Sequence, residues 1–162
     1  MKQIISVLVE NQAGVLNKIT GLFSRRAFNI ESLAVGVTED KSVSRITMIV
    51  DSGNSVAEQV EKQLNKLIPV IKVRRFESTD VIGKELAIIK ISSSSKSRSE
   101  IKTLVDMMGA KIADISSTTV TAEICDTPEK IELFEEMVRP YGIQEMARTG
   151  IVVLQKGSNS IK

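Results

Sequence analysis

The apolar residues of this chain switch between two spacings, and they do so in the same order twice. Alternation with period two marks a strand with one buried face, and recurrence at three and four residues marks a helix. Residues 4–9 are an apolar run of strand length. Residues 14–26 take helical spacing, with Val15, Leu16, Ile19, Leu22 and Phe23 on one side and Arg25 and Arg26 in the last turn, where cations suit the helix dipole. From 30 to 38 the period returns to two, through Leu33, Val35 and Val37. Residues 40–42 make a turn, and Ile46, Met48 and Val50 alternate beyond it, which together describe a hairpin. Ser55, with Glu58 three residues on, reads as a capping box opening a helix with Val56, Val60, Leu64 and Leu67 as its stripe. Pro69 ends that helix, and residues 70–76 supply one more strand.

The second half repeats the order with different residues. Residues 86–91 read as a strand. Ser97, with Glu100, is a second capping box, ahead of a helix whose inner face carries Ile101, Leu104, Val105 and Met108 and whose stop is Gly109. Strands follow at 111–115 and 120–124. Thr127 caps a further helix with Pro128 at its first position and Ile131, Phe134 and Val138 as its stripe. Residues 143–154 supply a last strand, and residues 157–162 read as a frayed tail. The order β-α-β-β-α-β, given twice, predicts an α+β chain of two ferredoxin-like domains, residues 1–77 and 84–157. Each has a small core, and small open sheets leave edge strands unpaired, so a homo-oligomer is expected.

Composition narrows the functions open to such a chain. Its 162 residues include 22 Lys and Arg against 20 Asp and Glu, interspersed, which gives no support to a nucleic-acid or membrane-surface role. Histidine and tryptophan are absent, and Cys125 is the single cysteine. Without histidine the usual acid–base group near neutral pH is missing, and with a lone cysteine a transition-metal or iron–sulfur site lacks its usual ligands, although Asp and Glu could still hold Mg²⁺. The lone cysteine and the short N-terminal apolar run, broken at once by Glu10 and Asn11, predict a cytoplasmic protein with no signal peptide and no membrane span. Cys125 reads as a buried, inert thiol, and Met107, Met108, Met137 and Met146 as core filler. Arg148 is open to two readings, a solvated strand residue or a helix-end partner.

Two polar breaks bracket the first helix, residues 10–14 and 27–29. A helix start offers unpaired N–H groups and a partial positive charge, on which a carboxylate can dock. Gly14 there removes a side chain that would crowd them, and Asn11 offers both a donor and an acceptor beside them. Asn29 lies past the far end of a helix that spans about 20 Å, so only a neighbouring chain brings it to the same spot. The plainer reading is also available: Asn11 shaping a turn, Gly14 easing the helix start, Asn29 in a left-handed conformation after the helix. Spacing alone leaves both open.

The stretch SVLVENQAGVLNKITGLFSRRAFNIESLAVG resembles the start of an ACT domain, specifically that of the acetolactate synthase small regulatory subunit family. SRITMIV, EKQLNKLIPVIKV and EMARTGIVVL resemble the same family, so the likeness covers nearly the whole chain. It implies that two ACT domains pair side by side into one continuous sheet and bind a branched-chain amino acid, usually valine, as feedback inhibitor at their interface. The family's effector site falls on Asn11 and Gly14 of one chain and Asn29 and Ile30 of the other. It further implies a separate large catalytic subunit carrying thiamine diphosphate, Mg²⁺ and FAD, with no catalytic or metal-binding residue and no cofactor in this chain. An alternative is an ACT-type amino-acid sensor acting on a different enzyme or on a transcription factor. An RNA-recognition use of the same element order is set aside, because it needs aromatic residues on the sheet face and residues 30–38 and 43–50 contain none. An acylphosphatase-like use wants an arginine in the first turn, where Glu10 stands instead.

Overall fold

In the computed structural model, which describes residues 2–26, 28–51 and 54–161 and leaves aside the side chains of 54–56, each spacing of apolar residues before residue 143 becomes an element of the kind it predicts. The elements run β1 (Lys2–Glu10), α1 (Val15–Arg25), β2 (Ile30–Val37), β3 (Val43–Asp51), α2 (Asn54–Leu64) and β4 (Val70–Phe76). They continue through β5 (Val81–Ser92), α3 (Arg98–Met107), β6 (Lys111–Ile115), β7 (Thr119–Asp126), α4 (Pro128–Val138), β8 (Ile143–Arg148) and β9 (Val152–Gln155). The chain divides into two compact units, Met1–Gly83 with Gly150–Lys162, and Lys84–Thr149. The first predicted capping box, at Ser55, and Val56 of that helix's stripe lie outside the described side chains, as Ala27 of the second polar break lies outside the described residues.

In the first unit the antiparallel sheet is ordered β2-β3-β1-β4. Alternation on β1 and β3 sends Ile5, Val7, Val9, Ile46, Met48 and Val50 to one face. There they meet Val15, Ile19, Leu22 and Phe23 of α1 and Val60 and Leu64 of α2. Each such side chain, fully buried, contributes about 1.5–3 kcal/mol to folding. The opposite face is also covered. Ser6 is completely buried, Thr47 nearly so, and their hydroxyls lie 3.3 Å apart. What covers this face is the end of the chain. Ile151 and Val153 pack with Phe76 and Val81, and Arg74 donates to the Gln155 side chain at 2.7 Å and to the Ser160 carbonyl at 3.0 Å.

Two expectations for the chain end therefore change. The single strand predicted over 143–154 is broken into β8 and β9, because Gly150 has φ +79°, a left-handed conformation that ends the extended run. A Cβ at this position would also sit 2.8 Å from the Ser32 hydroxyl, so a larger residue does not fit. The tail is packed, not frayed: Ile161 is 4% exposed.

The second unit orders β6-β7-β5-β8, the same topology. Ile89 and Ile91 of β5, Ile101 and Val105 of α3, and Ile131, Phe134 and Val138 of α4 form its core. Thr127 caps α4 as predicted, its hydroxyl accepting from the Lys130 N–H at 3.4 Å, with Pro128 at the first turn. The capping box at Ser97 does not form. Side-chain capping needs an extended Ncap residue, and Ser97 is helical (φ −88°, ψ −13°). Its hydroxyl accepts instead from the Ser94 N–H at 2.9 Å, and Glu100 accepts from the Tyr141 hydroxyl at 3.0 Å. Arg148 is an exposed strand residue at the end of β8 and not a helix-end partner, but its guanidinium is not left to water. Its guanidinium meets Glu85 through two hydrogen bonds of 2.8 Å, and Glu85 is only 5% exposed. Cys125 is exposed, and Met107, at 71% exposure, lies outside the core that takes in Met108.

Candidate functional site

The turn between β1 and α1 is built almost entirely from backbone. Where β1 ends, the Asn11 N–H donates to the Ser42 carbonyl at 2.7 Å and the Asn11 side-chain amide donates to the Lys41 carbonyl at 2.9 Å. Asn11 thereby clasps the β2–β3 turn to the mouth of α1. That turn is itself ordered by Asp40, whose carboxylate accepts from the Ser42 N–H and hydroxyl, and those bonds hold its carboxyl below the usual aspartate range. The sequence marks 40–42 as a turn. Its contact with Asn11 spans 30 residues and leaves no local signal.

Gly14 is the Ncap of α1, at φ +83°, ψ −6°, and no side chain caps the helix. An L-residue with a side chain adopts that conformation only at a cost, which explains glycine here. Crowding within the chain does not explain it: a Cβ added at Gly14 meets nothing within 4 Å. The helix start is thus open. Asn11 through Gly14 are all exposed, the first turn holds no acidic side chain, and the leading N–H groups have no intrahelical acceptor. This combination favours an anion.

At the other end of α1, the N–H groups of Arg26 and Phe28 both donate to the Phe23 carbonyl at 3.1 Å. Phe28 packs edge-on against Phe23, with ring centroids 6.1 Å apart. That anchor presents Asn29 to solvent, and it sets half-buried Ile30 against the core at the start of β2, opposite Val50. β2 is an edge of its sheet, and Val35 and Val37 on it are 49% and 59% exposed. The 11 residues of α1 separate the two groups by about 16 Å. Asn11 and Gly14 are together, Asn29 and Ile30 are together, and one chain does not unite the two pairs. Among the described residues, no group of three or more His, Cys, Asp or Glu is placed to hold a metal ion. Nor is any described helix long and apolar enough to cross a membrane.

Comparison with known proteins shows the family. Residues 5–72 match the family model of the AHAS small subunit-like ACT domain, and residues 84–157 match that of the small subunit of acetolactate synthase. The chain is 45% identical to the acetolactate synthase small subunit of Mycolicibacterium smegmatis, over 97% of this chain and 92% of that one. The chain belongs to the acetolactate synthase small-subunit family. It is also 43% identical to the Bacillus subtilis small subunit, over 98% of this chain and 92% of that protein. The crystal structure of the Thermotoga maritima small subunit superposes with a TM-score of 0.91 at 34% identity, covering 98% of this chain and 99% of that one. The first unit is accordingly an ACT domain, and the turn with Asn11 and Gly14 lies within it. The role that goes with membership is regulatory.

Proposed function

We propose that this chain is the valine-responsive partner of a separate acetolactate synthase catalytic subunit, in a cytoplasmic assembly that makes branched-chain amino acids. Two ACT domains pair side by side, so that Asn11 and Gly14 of one protomer face Asn29 and Ile30 of its partner across a bound valine. The observation that carries this reading is the open helix start at Gly14, left-handed, uncapped and unobstructed. Valine's carboxylate docks on the N–H groups there, Asn29 of the partner completes the polar contacts, and the isopropyl group lies against Ile30. The separation of the two pairs within one chain, and the edge position of β2, support a second copy as the other wall.

In this reading residues 1–77 carry the effector site, and residues 84–157 comprise the second unit, through Thr149, and the segment that returns to the first. Thiamine diphosphate, Mg²⁺ and FAD belong to the catalytic partner, and this chain performs no chemistry. A difference of about 1–3 kcal/mol in valine affinity between active and inhibited assemblies is enough for feedback control.

The test is calorimetric titration of the chain with valine, with its mass measured in solution. A dimer that binds valine saturably between roughly micromolar and millimolar Kd is expected. Asn29→Ala should weaken that binding and leave the dimer intact. Absence of binding both alone and with the catalytic subunit present would refute the reading.

A further inference from the structure

The outer face of the first unit's sheet, the one away from α1 and α2, holds a cavity of about 640 Å³. Its apolar lining comes from Leu8, Val43, Ile71, Phe76, Leu154 and Ile161. The sequence arranges this in three ways. Alternation on β3 turns Val43 and Arg45 away from the core that Ile46 and Met48 enter. A register shift between Leu8 and Val9 leaves Ile71 without a partner on β1. The returning chain end supplies Leu154 and Ile161 as the remaining wall.

Arg45 is the exceptional residue of this cavity. It is half-buried, and its Nε donates to the Ser6 hydroxyl at 3.0 Å, while no ion pair engages it among the described residues. Burial pushes its guanidinium below the usual arginine value, since nothing nearby compensates the lost water. The other partly buried arginine side chains are better provided. Arg75 pairs with Glu61, Arg148 with Glu85, Arg74 has two oxygen acceptors, and Arg98 has three. Two acids line the same cavity. Asp40 is turned to Ser42, and Glu39 is also engaged.

We infer that this cavity is a second small-molecule site, for a monocarboxylate with an aliphatic body, whose carboxylate pairs with Arg45 while its apolar part fills the space between β1, β4 and the chain end. A planar guanidinium with free donors matches a carboxylate in a two-point fork. Apolar walls with one placed polar group are what small-ligand sites present. The site is separate from the helix start at Gly14 and does not depend on the valine reading.

The probe is 4-methylpentanoate, titrated calorimetrically into the full chain, with 4-methylpentanamide as the uncharged control. The acid should bind saturably at one site per chain, and the amide at least tenfold more weakly. Arg45→Gln should weaken the acid at least tenfold, and so should Leu154→Glu, which sets a like charge on a wall residue 62% exposed and leaves the fold undisturbed. Saturating valine should leave that binding unchanged. Should Arg45→Gln fail to fold, Leu154→Glu decides. No saturable binding, equal binding of acid and amide, insensitivity to either cavity variant, or displacement of the acid by valine each overturns the inference.

Discussion

Both units wind β-α-β-β-α-β and order their strands alike, yet the turn that leads into the first helix is finished differently in each. In the first, one exposed asparagine clasps the hairpin turn, and an uncapped glycine leaves the helix start open. In the second, the Ser93 N–H makes the matching bond to the Thr118 carbonyl, and Arg98 fills the space. Its guanidinium donates to the Ser116 and Ser117 carbonyls at 3.0 and 2.9 Å and to the Ser93 hydroxyl at 3.3 Å. Ser94 and Ser97 close on each other beside it. One fold thus carries an open helix start once and a self-satisfied version of the same turn once. The strand order does not distinguish them; a few side chains do.

The contrast can be broken most forcefully at the second unit's ion pair. Arg148→Met removes the two-point fork that nearly buried Glu85 accepts, which should cost about 1.5–3 kcal/mol. Denaturant unfolding checks this, and valine titration of the folded fraction should show binding retained. Next comes Gly14, where two isosteric variants separate charge from strain. Gly14→Asn and Gly14→Asp both meet φ +83°, a strain of about 1–2 kcal/mol. Only the aspartate should abolish valine binding, because only it sets a negative charge where the carboxylate docks. Equal loss in both would assign the effect to conformation. Arg98→Ala should then cost about 0.5–1 kcal/mol, since water takes the place of the guanidinium at two exposed carbonyl groups, with valine affinity unchanged. Asn11→Ala should do the reverse, weakening valine with little effect on the thermal midpoint.

The smallest effect concerns pH. Lys130 and then Lys84 hold the Asp126 carboxyl well below the usual aspartate range, at 2.7 Å each. A carboxyl lower in the folded than in the unfolded state adds stability that is full above the unfolded value, about pH 4, and fades as pH falls below it. Asp126→Asn should therefore lower stability near neutrality by under about 1 kcal/mol, as exposed pairs do. Melting curves of wild type and variant should converge toward pH 2.

What was legible in the sequence was whatever physics acts within a few residues. The switch of period places β1, α1 and the β2–β3 hairpin, and Thr127 with Pro128 marks the start of α4, because capping is local. Asn11 and Gly14 were legible as a polar helix start for the same reason. The reason for Gly14 was not, since a left-handed φ and a crowded Cβ both select glycine. Ser97 shows the limit of motif reading, because a capping box states a preference that a competing serine turn can overrule. Glu85 and Arg148 lie 63 residues apart and meet only because β5 pairs with β8. The meeting of Asn29 with Gly14 that we propose lies further still, outside one chain altogether.

The return of residues 150–161 to the sheet of the first unit makes that unit discontinuous in sequence. A ribosome making this chain delivers β1 to β4 early and the strand that covers their outer face last, after the whole second unit has emerged. Until then Leu8, Phe76 and the Ser6 and Thr47 hydroxyls lack that cover, and closing it takes a connection of high sequence separation, which is slow to form. The N-terminal domain is thus the first to be synthesised and the last to be finished.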